Sequence, residues 1–548
     1  MSTETETTFM DERFDYVVVG GGSGGSPVAG RLAEAGARVL VLEAGGTDRR
    51  ADVLIPAGLP LVYRSANWKY IPEPDPTRHG STEAWPAGRI LGGGGSINAM
   101  VFVRGNRADF DGWARQGAKG WDYESVLPDF RRLESWCAGD DEYRGGSGPI
   151  RVGFQSYRHV TIEPFIAAAM VAGHPFTADY NGQQQIGVSH LQVNHRRRGI
   201  RSQASREYLR KLAVRTPVTV RTNSFVYGLL FSAKRAIGVE YVRSGRRLRA
   251  YADQEVILAA GSLATPKLLM LSGIGPARHL ADKNVGLRVD LPGVGENLQE
   301  HPAVMQRWDT PVDTVNSLGA FGAVQAAYRY CAYGQGMLTS SVYQAQVFHK
   351  SSPSLIAPDL QIGFCCFAVD RIVGPDGKVK VQPSRRPGLQ VTVNMLHPRY
   401  RGRLELRSAD PQAPPVIRHR LLGTEEDTRD LLAGMAEARR IMDQEPMRDF
   451  VGGQFEPERD CRTTQDWSDL LRRSATNGAH PVGTCAMGTD DYAVVDPQLR
   501  VRGVDRLRIS DASVMPSLTS GNTNAASMMI GERAAREILG SAVGHAQR

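Results

Sequence analysis

Residues 14–43 limit what this chain can fold into more than any other stretch. An apolar, β-branched run at residues 16–19 reads as a buried parallel strand. Gly20, Gly22 and Gly25 follow with G-x-G-x-x-G spacing. Val28, Leu32 and Ala35 then recur at helical spacing and stop at Gly36, and a second apolar run at residues 39–42 delivers Glu43. Strand, glycine turn, helix, strand and acid within about 30 residues form the dinucleotide-binding fingerprint. The glycines let main chain approach a pyrophosphate, whose charge meets the free N–H groups at the helix start. Glu43 can accept hydrogen bonds from an adenosine ribose and disfavours a 2′-phosphate, so NAD or FAD fits and NADP does not. The alternative is a glycine-rich turn in an ordinary α/β domain. Pro27 is tolerable because it lies close to the helix start.

The chain has 548 residues, enough for two or more cores. A net charge of +8 is mild at this length, and no motif points to nucleic acid. The densest basic run, His195 to Arg198, reads as a solvated loop. Six cysteines without C-x-x-C spacing suggest reduced thiols in a cytoplasmic protein. Residues 1–12 are acidic and polar, unlike a signal peptide, and no apolar run approaches a membrane span. Oligomeric state is not legible.

Residues 44–86 are polar and irregular, as a segment covering a ligand would be. Four glycines, Gly92 to Gly95, come next, flanked by apolar residues and followed by Ser96 and Asn98. Residues 88–111, with Asn98, Phe102, Gly105 and Asp111, resemble the first signature of the glucose–methanol–choline (GMC) oxidoreductases. Residues 261–275, after an apolar strand at 255–260, resemble the second. Residues 293–302, 480–488, 511–516 and 520–525 add family-like elements in the family's order, so the resemblance spans residues 14–539.

The resemblance implies FAD, bound non-covalently, and an α/β chain (α+β overall). Its Rossmann-like FAD-binding domain would be joined to a discontinuous substrate domain built on an antiparallel sheet. The FAD domain would take residues 10–155, 201–300 and 476–548, and the substrate domain 156–200 and 301–475. Cofactor contacts implied are Gly20, Gly22, Ser23, Gly25, Glu43 and Ala44 for the ADP portion, with Val226 against the adenine. Gly92, Gly93, Asn98, Met100 and Val101 come from the first signature, and Asp511, Ala512, Thr523 and Asn524 from the end of the chain. Asp511 could instead only cap its loop.

Alcohol oxidation requires a hydroxyl to lose a proton and its carbon to give up a hydride. A neutral imidazole suits the first event. Twelve histidines leave composition without a choice; the motif at 480–488 singles out His480, whose family counterpart is the base. The resemblance also expects a second polar group after the element at 511–516. Asn522 is preferred over Asn524, although either could merely cap the following helix. Asn522 would steady the alkoxide by donating a hydrogen bond. His301, Glu296, Asn297 and Glu300 read as framework.

Three departures narrow the expectation. Ile97 stands where some relatives attach FAD through histidine. Gln344 and Gln346, on a plausible pocket strand, are neutral where choline-oxidising relatives use a carboxylate. Ala479 replaces a bulky residue and suggests a roomier pocket. The reading is oxidation of a primary alcohol on a sugar, polyol or aromatic ring, with oxygen, quinone or another carrier as acceptor. The alternative is a hydroxynitrile-lyase-type activity using the same histidine. No metal is expected.

Overall fold

The computed structural model describes residues 11–210, 218–374, 376–456 and 461–546. The reading of residues 1–12 therefore lies, for residues 1–10, outside the described residues. Two sheets organise the chain. In the first, the order is Val218–Arg221, Val39–Leu42, Asp11–Val19, Arg246–Leu258, Arg235–Arg243 and Ser224–Ser232, with Leu507–Ile509 also paired to Arg246–Leu258. Its first four strands are parallel and Leu507–Ile509 joins in parallel; the last two are antiparallel. Val17, Val18 and residues 39–42 are buried on both faces, which explains their unbroken apolar runs.

The strand begins at Asp11, well before the apolar run that signalled it. The following helix, Gly25–Glu34, ends as read, with Gly36 at φ +94°.

The second sheet runs Gln454–Glu456, Pro302–Asp309, Gly388–Met395, Leu360–Cys365, Tyr343–His349 and Gly187–His190, all antiparallel. Its strands alternate. Leu389, Val391, Val393 and Met395 enter an apolar core shared with helices Ile162–Val171 and Glu425–Met442. The intervening Gln390, Thr392 and Asn394 face the other way, into a cavity between the two sheets. Thr476–Asn477 pairs with Pro302–Asp309, so the return to the first sheet runs through Gly478 and Ala479.

Among the described residues the cysteines form no disulfide. Among the described residues no helix is long and apolar enough to cross a membrane, and no cluster could hold a metal ion. One expectation needs correction. The basic run is only partly a solvated loop: Arg197 and Arg198 are exposed, but Arg196 pairs with Glu207, which is buried. The His195 ring reaches Phe154 O at 3.0 Å.

Candidate active site

A continuous cavity of about 930 Å³ runs between the sheets from Glu43 to His480. At one end its wall is main chain. Gly20, Gly22, Ser23, Glu43, Ala44 and Val226 line it. Both Glu43 oxygens accept main-chain N–H bonds, from Gly21 at 3.1 Å and Gly45 at 2.8 Å. Burial pushes its carboxyl up to about 7, against those two donors. Each oxygen keeps a lone pair for a ribose hydroxyl.

The glycines divide into two kinds. At Gly25 a Cβ would sit 2.0 Å from Gly20 O, so this position serves helix–strand packing. At Gly22 nothing lies nearer than 3.8 Å, and at Gly94 and Gly261 nothing lies within 4 Å. All three line the cavity, so the missing side chains open space for a ligand.

Gly93, Asn98 and Val101 also line the cavity. Gly92 does not; it turns at φ +92° with Ser96 and Ser205 packed behind it. Nor does Met100, whose side chain enters an apolar cluster with Val103 and Leu191. Gly25, Gly92 and Met100 therefore support the wall and do not form it. Asn98 Oδ1 is fixed by Met100 N at 2.9 Å and by the buried Arg201 at 2.6 Å. Ile97, buried in the wall, offers only hydrocarbon.

Asp511, Ala512, Thr523 and Asn524 close the cavity from the chain's far end. The Asp511 carboxylate is spent on its own surroundings: Gly261 N at 2.9 Å, Thr265 Oγ1 at 2.6 Å and Ser513 N at 2.8 Å. Asn524 accepts a 2.7 Å bond from Ser23 Oγ and so ties the last helix to the first glycine turn. A cavity lined by unobstructed glycines, with a buried acid in its wall, fits FAD.

At the other end the wall is side chain. His480 Nε2 lies 3.0 Å from Asn522 Nδ2. Its Nδ1 lies 3.0 Å from His301 Nδ1, and His301 Nε2 lies 3.1 Å from Leu396 O. These contacts fix the protons. Leu396 O can only accept, so His301 carries its proton on Nε2 and presents a lone pair at Nδ1. His480 must then donate from Nδ1, which leaves Nε2 unprotonated. Asn522 is oriented to match: its Oδ1 accepts from Gln361 Nε2 at 3.2 Å, turning Nδ2 toward His480. Gln361 Nε2 is itself anchored on Gln346 Oε1 at 2.8 Å.

Burial pushes the His480 imidazole down to about 4, and burial followed by repulsion from His480 and His397 holds His301 well below its usual value. Both are neutral at neutral pH. Main chain completes the clamp. Glu300 accepts His480 N at 2.8 Å and His301 N at 2.9 Å, with its carboxyl pushed up to about 8 by burial. Ala479 adopts left-handed φ +65° immediately before His480, a conformation costing about 1–2 kcal/mol for a non-glycine residue.

The structure brings His480 and Asn522 together and places Asn524 apart, on Ser23; His301 and Glu300, expected as framework, hold the His480 ring and main chain. Sequence reasoning missed Gln361; the period-2 alternation through residues 360–365 was the available signal. It also misplaced Gln344. The pairing shifts between Tyr343 and Ala345, so Tyr343 and Gln346 share the cavity face. Gln344 is instead occupied by His159 N at 2.9 Å and Ser340 Oγ at 2.6 Å.

The family profile described as GMC oxidoreductase matches residues 14–303 in its N-terminal part and 398–531 in its C-terminal part. The chain is 39% identical to an oxygen-dependent choline dehydrogenase of Sinorhizobium fredii, over 96% of this chain and 95% of that one. It is 37% identical to one of Photobacterium profundum, over 97% and 94%. The pyridoxine 4-oxidase structure from Mesorbium loti superimposes with a TM-score of 0.86 at 28% identity, covering 96% of this chain and 99% of that one.

Proposed function

The chain belongs to the GMC oxidoreductase family, and we propose that it oxidises the primary hydroxyl of a neutral, hydrogen-bonding alcohol to the aldehyde, with His480 as base. FAD, when bound in the cavity, supplies the acceptor for the hydride. The observation that carries this reading is the unprotonated His480 Nε2 beside Asn522 Nδ2. A hydroxyl that takes the place of Asn522 at Nε2 gives its proton to that nitrogen, while Asn522 Nδ2, released from the ring, donates to the oxygen as charge develops. His301 holds the His480 ring in the receptive tautomer throughout. Glu300 holds the main chain on which both rings stand.

The wall facing these groups favours a neutral substrate. Gln346, Gln361, Gln390, Thr392 and Asn394 supply amides and a hydroxyl. Glu83, an acid in the cavity wall, is already engaged by Arg78 at 2.9 Å, Thr476 Oγ1 at 2.7 Å and Asn477 N at 3.1 Å. An unengaged carboxylate to hold a quaternary ammonium is not found in this group. Ala479, also in the wall, leaves room beside the base. The lyase alternative has no support among these relatives.

Oxygen is the acceptor we favour, as the names of the relatives suggest, ahead of quinone or another carrier. Six cysteines with no C-x-x-C spacing suit a cytoplasmic setting. The test is an anaerobic panel of polyols, sugars, hydroxymethyl-heterocycles and choline, followed by peroxide measurement on adding air. Bleaching by a neutral primary alcohol and not by choline supports the reading; bleaching by choline alone, or by nothing, rejects it.

A further inference from the structure

We propose that the face built on helix Ala320–Tyr333 docks this protein onto an anionic lipid surface. This helix has 14 residues, of which only Ala326 is buried. Phe321, Val324 and Tyr328, at i, i+3 and i+7, form one outward stripe and are 84%, 68% and 61% exposed. Tyr333, at the helix end, is 61% exposed and its ring lies 6.0 Å from that of Tyr328. Arg329 is the helix's one charged side chain. A helix this apolar and this exposed leaves its hydrophobic face without a partner among the described residues, and scattered surface leucines do not explain it.

Charge decides what would cover it. From Thr314 to Pro358 the sequence contains no Asp or Glu. Arg198 packs along Gly334, at the helix end, and it and Arg197 are exposed. The helix touches the turn Met337–Thr339, which touches the turn Pro56–Gly58, and that turn leads into helix Leu59–Ser65. There Leu61 is 60% exposed, Tyr63 is 36% exposed, and Arg64 is exposed. Of the acids nearest in the chain, Asp52 is paired with Arg50 at 2.5 Å, and Asp313, exposed seven residues before the helix, is the one acid against four exposed arginines.

Apolar and tyrosine side chains rimmed by Arg64, Arg197, Arg198 and Arg329 match the interface of a bilayer carrying anionic headgroups. A two-fold dimer through the same face would set these arginines against their own copies. Leu61 and Tyr63 also line the cavity, so docking would turn the cavity mouth toward the bilayer.

Flotation of the FAD-loaded protein with phosphatidylcholine vesicles, with and without phosphatidylglycerol, tests this. Light scattering of the same samples without lipid reports dimerisation. Binding to the anionic vesicles alone, weakened by high salt, is expected. Phe321→Glu/Tyr328→Glu and, separately, Arg197→Glu/Arg198→Glu should each reduce it about tenfold or more while solution flavin reduction by alcohol stays unchanged. No binding to anionic vesicles, equal binding by both variants, or a dimer that Phe321→Glu/Tyr328→Glu dissolves in the absence of vesicle binding would overturn the proposal.

Discussion

At Gly22 the cavity is walled by main chain, and what matters is the side chain that is missing. At His480 it is walled by side chains, and what matters is that each is held by another. The two ends should therefore fail differently. Crowding the glycine end obstructs cofactor binding and leaves the proton-transfer groups in place. Loosening the His480 end leaves FAD bound and slows the reaction.

The sharpest separation among the supporting residues comes from the asparagine pair. Asn522→Ala removes the donor opposite Nε2, and rapid-mixing flavin reduction should slow by about 10²–10³-fold with FAD content unchanged. Asn524→Ala should instead loosen the Ser23 contact and affect FAD retention more than rate. If Asn524→Ala slows reduction more, the two ends are wrongly divided. Next in size, Gly22→Val should fold, because its Cβ meets nothing nearer than 3.8 Å. It should weaken FAD affinity by roughly 10–100-fold, the scale of an overpacked contact. Normal FAD content in the purified variant would break the comparison from the other side.

His301→Phe tests the tautomer argument. It keeps a ring but removes the Nδ1 acceptor, and reduction at neutral pH should slow by roughly tenfold or more. The wild-type rate should stay flat from neutral pH down and fall only toward about pH 4, where His480 takes up a proton and ceases to be a base. In His301→Phe this profile should shift, which loss of packing alone would not do. The smallest effect belongs to Glu300→Gln. With its carboxyl pushed up to about 8, Glu300 is already largely neutral at pH 7, so the amide should change the rate by no more than about twofold. Its stabilising contribution is fully present below the usual carboxylate range and is lost as pH rises through about 8. Thermal melts should therefore show the glutamine variant gaining on the wild type above that pH.

The same contrast explains what was legible in the sequence. The glycine end is local: strand, turn, helix and acid lie within residues 14–43, and short-range spacing is enough to read them. Even so, Gly25 and Gly92 look like cofactor glycines in sequence and prove to pack against protein, because spacing does not say which side of a turn faces a cavity. The reacting end is assembled from residues 301, 346, 361, 480 and 522, which come together only where the second sheet meets the loop before the last helix. His480 and Asn522 were legible through long motifs. Gln361 was not: on one face of an antiparallel strand it resembles any solvent-facing residue, and only the structure shows that this polar face roofs a cavity. Gln344 was misplaced because a shift in strand pairing leaves no mark in composition.

The central claim is that His480 takes the proton from the substrate hydroxyl. Its most direct test is single-turnover anaerobic reduction of wild type and His480→Ala, both loaded with FAD, by an alcohol that bleaches the wild type. The expected result is intact flavin absorbance in both and a rate about 10²–10⁴-fold lower in the variant. A His480→Ala protein that holds FAD and is reduced at the wild-type rate would contradict the account.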